Sequence, residues 1–161
     1  MTGSEWMDLT VLERKKYNYL GEVLDLTQQL AESLERSDQV SARMILAMRQ
    51  DPILHLGEID QACQARRRDL TQEDRERAEA LLKGAQPRSN EERTFLEQAG
   101  RTRRLLERVV ELDRRVSLQM AGDNSFYKRK STAMSVPPAG AGGTDTVTSF
   151  CRTSAPPPGE G

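Results

Sequence analysis

Large rings are scarce in this chain: three Phe, three Tyr and one Trp make up 4% of 161 residues. With so few aromatics, and with 30% charged against 36% hydrophobic residues, a thick globular core is excluded and an elongated bundle with a narrow apolar seam is favoured. There is one histidine, His55, and no Cys-x-x-Cys or His-x-x-x-His spacing accompanies it, so no metal is expected. The two cysteines lie far apart, Cys63 on an apolar stripe and Cys151 in a Pro/Gly-rich tail, and read as inert thiols. No apolar run approaches the roughly 20 residues that span a bilayer. The opening MTGSEWMDLTVLERKK has no apolar core of a secretory signal, which predicts a cytosolic protein. A net charge of −1 leaves no basic surplus for neutralising phosphates, which argues against nucleic acid as the partner. Phosphate-cradling glycine loops, nucleophile elbows and paired carboxylates in a strand-to-loop setting are all missing from the sequence. Neither catalysis, nor a cofactor, nor a small-molecule substrate is therefore expected.

What the chain does have is helical periodicity. Thr10-x-x-Glu13 forms a capping box, so a first helix is expected from near Thr10 or a turn earlier, with a stripe of Leu12, Tyr19/Leu20, Val23, Leu26/Thr27, Leu30 and Leu34. The pattern lapses at Glu35-Arg36-Ser37-Asp38, where Ser37 and Asp38 both suit an N-cap; a tight helix–helix turn is favoured there over one uninterrupted helix. A second stripe holds Val40/Ser41, Met44/Ile45, Met48, Pro52, Leu56, Ile59 and Cys63. It keeps phase across Pro52, which favours a helix that continues with a kink over a fresh start at Asp51. Arg66-Arg67-Arg68 closes this helix over the negative end of its dipole.

Thr71 and Asp74 then start a short, highly charged helix that Gly84 stops. Ser89-x-x-Glu92 opens the last long one, striped by Phe95, Ala99, Thr102, Leu105/Leu106, Val109, Leu112, Val116 and Met120, and Gly122 is expected to end it. From residue 123 the composition turns to proline, glycine and serine. The expected organisation is all-α: an antiparallel three-helix bundle over residues 1–122 and a disordered tail over residues 123–161. In that tail Phe126-Tyr127 precedes Lys128-Arg129-Lys130, suiting either a plug for the bundle's end or a recognition element that orders on a partner.

The run Leu24 to Leu34, the break Arg36-Ser37-Asp38, and then Met44-Ile45-Leu46 and Asp51-Pro52-Ile53-Leu54-x-Leu56 resemble the flagellar export chaperones of the FlgN type over about residues 11–120. The family's Tyr-Gly ending has only a loose substitute in Phe126-Tyr127, and the extension after Val136 has no counterpart. The resemblance implies a cytosolic helical chaperone that binds hook-filament junction proteins before type III export, engaging cargo through its carboxyl-terminal part, here Val109 to Tyr127. The expected docking face is Val109, Leu112, Val116 and Met120 with Phe126 and Tyr127, offered to an amphipathic helix of a flagellar junction protein. Two other classes fit the residues: a structural coiled coil whose stripes pair with themselves, and a nucleic-acid-associated protein using Arg66 to Arg68 and the arginines between Arg101 and Arg115. The stripes alone set no oligomeric state.

Overall fold

A computed structural model describes residues 1–130, with side chains through residue 122. Among the described residues the chain is all-α, with no strand: α1 (Gly3–Glu35), α2 (Gln39–Asp69), α3 (Gln72–Leu82) and α4 (Asn90–Lys130). Three of the four are long, and α2 runs through Pro52 without a break. The expected disorder of residues 131–161, and Cys151 with it, lies outside the described residues.

Two ends differ from the sequence expectation. The first helix starts at Gly3 rather than near Thr10, because Thr2-x-x-Glu5 is itself a capping box: the Glu5 N–H donates to Thr2 Oγ1 at 3.3 Å and the Thr2 N–H donates to the Glu5 carboxylate at 2.7 Å. Thr10 is buried within the helix, where its hydroxyl donates to the Trp6 carbonyl at 2.8 Å. At the other end α4 passes Gly122 and continues to Lys130. Gly122 does not take the left-handed conformation that a glycine stop requires; Gly84, at φ +111°, is the one described glycine with positive φ. A helical glycine costs only about 1 kcal/mol, and no proline follows before Lys130.

The chain divides into two compact units, one of Met1–Gly21 with His55–Glu107, the other of Glu22–Leu54 with the chain from Arg108. In the first, Trp6, Leu9, Leu81, Phe95 and Ala99 form the apolar cluster, and the Trp6 and Phe95 ring centroids lie 5.2 Å apart. Asp8 pairs with Arg66 while Tyr19 stacks on His55 with ring centroids 4.8 Å apart, so these segments of α1 and α2 run antiparallel. The Thr102 hydroxyl donates to the Glu13 carbonyl at 3.2 Å, which places α4 beside α1 in the same direction. The short α3 is anchored by Leu81, fully buried, and by an ion pair. Arg77 donates from Nε and an Nη to the Glu92 carboxylate at 3.1 and 2.7 Å, and also to the Gln86 carbonyl at 2.9 Å. Glu92 accepts the Arg88 N–H as well, at 2.6 Å, so one buried carboxylate holds both ends of the α3–α4 connection. The high charge of this short helix gives no sign of the clamp in the sequence.

In the second unit Leu30, Ala42, Ile45 and Val116 form the core, with Leu26, Leu34, Leu46, Leu112 and Met120 against them. The turn expected at Ser37-Asp38 is there, and each residue does a different job. Ser37 is left-handed at φ +57° and donates its N–H to the Leu34 carbonyl at 3.1 Å; the Asp38 N–H reaches the Ser33 carbonyl at 2.8 Å, completing a Schellman closure of α1. The Asp38 carboxylate then caps α2, accepting the Ser41 N–H at 3.1 Å and hydroxyl at 2.6 Å. The Ser41 hydroxyl, and after it the Ser41 N–H, hold the Asp38 carboxyl below the usual carboxylate range.

Ser37 occupies a conformation that costs a non-glycine residue roughly 1 kcal/mol. Ser37→Gly is therefore expected to raise the urea midpoint, with a gain of about 1 kcal/mol; an unchanged or lower midpoint would count against a strained turn.

The Arg77 guanidinium beside Glu92 holds that carboxyl below its ordinary value, with the Arg88 N–H helping. A lowered folded pKa means that the stabilisation is fully present above the ordinary glutamate range and is lost as pH falls through the folded value. Glu92→Gln should thus be less stable than the parent at neutral pH, the gap closing below about pH 4. Melting temperatures recorded across pH 3 to 7 test this, and a gap independent of pH would refute it.

Candidate protein-docking surface

Each residue expected on the docking face has a definite place. Val109 and Val116 are interior, with Val116 in the central cluster of the second unit; Leu112 and Met120 are half-buried and pack against that cluster. Leu112, Val116 and Met120 thus belong to the second unit's own core, and Val109 is fully buried. Phe126 and Tyr127 fall on the last turns of α4, where side chains are not described.

A buried ion pair of this unit lies between two residues that the stripes did not single out. Arg49 and Asp113 are both almost fully buried, and the guanidinium donates to the carboxylate at 2.6 Å. Arg49 Nε is buried with no hydrogen-bond partner among the described residues. The expected stripe puts Val40/Ser41, Met44/Ile45, Met48 and Pro52 on the inward face of the first half of α2, and of these Ile45 and Pro52 are buried. In the structure that face is Ala42, Ile45, Arg49, Pro52 and Ile53, a rotation of the first half of the helix. From Leu56 and Ile59 onward the expected stripe and the buried face coincide.

The rotation leaves a second apolar stripe facing outward. Val40, Met44, Met48 and Leu54 are 72, 61, 54 and 64% exposed, and Ala47 is exposed among them. At 100° per residue, positions 40, 44, 47, 51 and 54 fall within an arc of about 80°, with Asp51 its charged member and Met48 about 40° beyond its edge, opposite Ala42, Ile45, Arg49 and Ile53. Helix α2 is therefore apolar on two sides. Its four outward side chains present on the order of 500 Å² of apolar surface, comparable with the largest patch of a typical monomer, which is often functional. Methionine suits such a face, because its unbranched thioether re-packs against partners of differing shape.

Little here points to chemistry. Among the described residues no group of three or more His, Cys, Asp or Glu side chains is placed to hold a metal ion. No described helix is long and apolar enough to cross a membrane. Burial pushes the Cys63 thiol up to about 11, so it stays protonated and weakly nucleophilic at neutral pH. Of the arginine triplet, Arg66 is engaged by Asp8. Comparison with protein-family models, curated proteins and solved structures finds no match to this chain.

Removing one partner of a buried ion pair strands the other charge, at a cost of about 3 to 5 kcal/mol, whereas replacing both with apolar side chains is close to neutral. Asp113→Leu is therefore expected to destabilise strongly and Arg49→Met/Asp113→Leu to recover most of the loss in urea unfolding. Additive losses would show that the pair is not coupled.

Proposed function

We propose that the protein is a helical, non-catalytic adaptor that holds an amphipathic helix of a partner protein against α2. The observation that carries this reading is the outward stripe of Val40, Met44, Met48 and Leu54 on a helix whose opposite side is already used by the core. An apolar strip about 20 Å long matches four turns of a partner helix with anchors at every third or fourth residue. In this reading α1, α2 and α4 form the antiparallel three-helix bundle that their stripes imply. On the FlgN-type resemblance the partner is a flagellar hook-filament junction protein, kept soluble in the cytoplasm before type III export. The docking residues proposed are those of α2, in place of Val109, Leu112, Val116 and Met120.

The two faces separate by mutation. Met44→Glu/Met48→Glu places charges on exposed positions, so the melting temperature should stay within a few degrees of the parent while capture of a junction-protein helix in a pull-down is lost. Val116→Asp buries an unpaired carboxylate and should unfold the second unit. Undiminished capture by the double glutamate variant, with each hook-filament junction protein of the source genome as bait, would remove α2 as the docking surface.

A further inference from the structure

The outward stripe of α2 is self-complementary at Val40, Arg43, Ala47, Asp51 and Leu54. Positions 40 and 54 both lie seven residues from Ala47, and positions 43 and 51 both lie four residues from it. When two copies of α2 are laid antiparallel across a two-fold axis at Ala47, Val40 of each faces Leu54 of the other, and Arg43 of each faces Asp51 of the other. Ala47 meets its own copy at the centre, where a methyl side chain lets the helix axes approach closely. Every contact off the axis occurs twice, as an isologous interface requires. Parallel pairing fails the same test, because it sets Asp51 on Asp51 and leaves like charges at the seam.

We infer that α2 pairs with α2 of a second copy of this chain, antiparallel and centred on Ala47, when no client helix occupies the stripe. The proposal rests on the α2 docking surface above and names the occupant of its free state. The four outward apolar side chains supply on the order of 500 Å² per copy. Flanking Arg43, Ala47, Gln50 and Asp51, all exposed in one chain, extend the strip towards the ~800 Å² per partner of a stable interface. The opposed Arg43 and Asp51 fix register and direction, since sliding by one turn separates the charges and moves Ala47 off the axis. Met44 of each copy then lies against Gln50 of the other, so free protein covers part of its apolar stripe and a client must compete with the second copy.

The experiment uses the full chain with Cys63 and Cys151 replaced by serine. Under mild oxidation Ala47→Cys should form a covalent homodimer. Val40→Cys alone should not, whereas a mixture of Val40→Cys and Leu54→Cys should give the mixed disulfide. Sedimentation equilibrium supplies the charge test. Arg43→Asp sets Asp on Asp twice and should weaken association roughly tenfold or more, and the double exchange Arg43→Asp/Asp51→Arg should restore it. A chain that stays monomeric at 100 µM, about a hundredfold above a micromolar Kd, would overturn the inference. So would Val40→Cys cross-linking to itself, the mark of parallel pairing. The two readings fail separately. Loss of client capture in Met44→Glu/Met48→Glu with a monomeric parent keeps the docking surface and discards the dimer. A dimer with the expected cross-links and unaltered client capture keeps the dimer and discards the docking surface.

Discussion

The second unit is organised around one buried ion pair. An arginine inside a small helical core is tolerable only when a carboxylate meets it, and Asp113 reaches Arg49 from a helix 64 residues further along the chain. That requirement fixes the rotation of α2 about its own axis. With the guanidinium inside, Ile45 and Ile53 must lie inside as well, and Met44 and Met48, each one residue and about 100° before Ile45 and Arg49, are carried outward on the same flank. The pair adds little net stability, since desolvating two charges offsets most of their attraction, and Arg49 Nε stays unmatched among the described residues. Its larger effect is specificity: it selects one of two apolar faces of the same helix for the core and releases the other.

The first unit uses polar contacts differently. There the buried carboxylate of Glu92 belongs to a helix start, and it accepts hydrogen bonds from a neighbouring helix and from the chain entering its own. A short helix with Leu81 as its one fully buried residue is held by geometry as much as by apolar area. Both units thus place a bidentate or charge-assisted contact where the apolar seam is thin, in keeping with a chain so poor in aromatic residues.

Much of the fold was legible in the sequence because it is written in local rules. Thr71, Ser89 and Gly84 cap or stop helices where their types require. The α4 stripe from Phe95 to Val116 is buried where its period puts it. The misreadings come from long-range partners or from equivalent local signals. Thr2-x-x-Glu5 and Thr10-x-x-Glu13 are the same motif, and only Trp6 and Leu9 packing on Phe95, Leu81 and Ala99 decides for the earlier one. Arg49 is absent from the expected stripe because Asp113 is invisible to any window on α2. The α2 stripe shows the consequence: Val40, Met44 and Met48 were assigned inward although they are exposed, while Leu112, Val116 and Met120 of the face expected on α4 pack in the second unit's core.

The closure between α1 and α2 also orders the assembly of the second unit in time. Leu30 and Ala42 are joined by a short loop whose left-handed Ser37 and capping Asp38 are set by neighbours, while Arg49 and Asp113 close a loop roughly five times longer, at about 1.5 kcal/mol more chain entropy. Local contacts of this kind form early, so the α1–α2 hairpin is in place before α4 arrives. Until then Arg49 sits on an open hairpin with water around it. The step that dries the arginine is the same step that delivers its aspartate, and the hairpin never has to hold a buried charge alone.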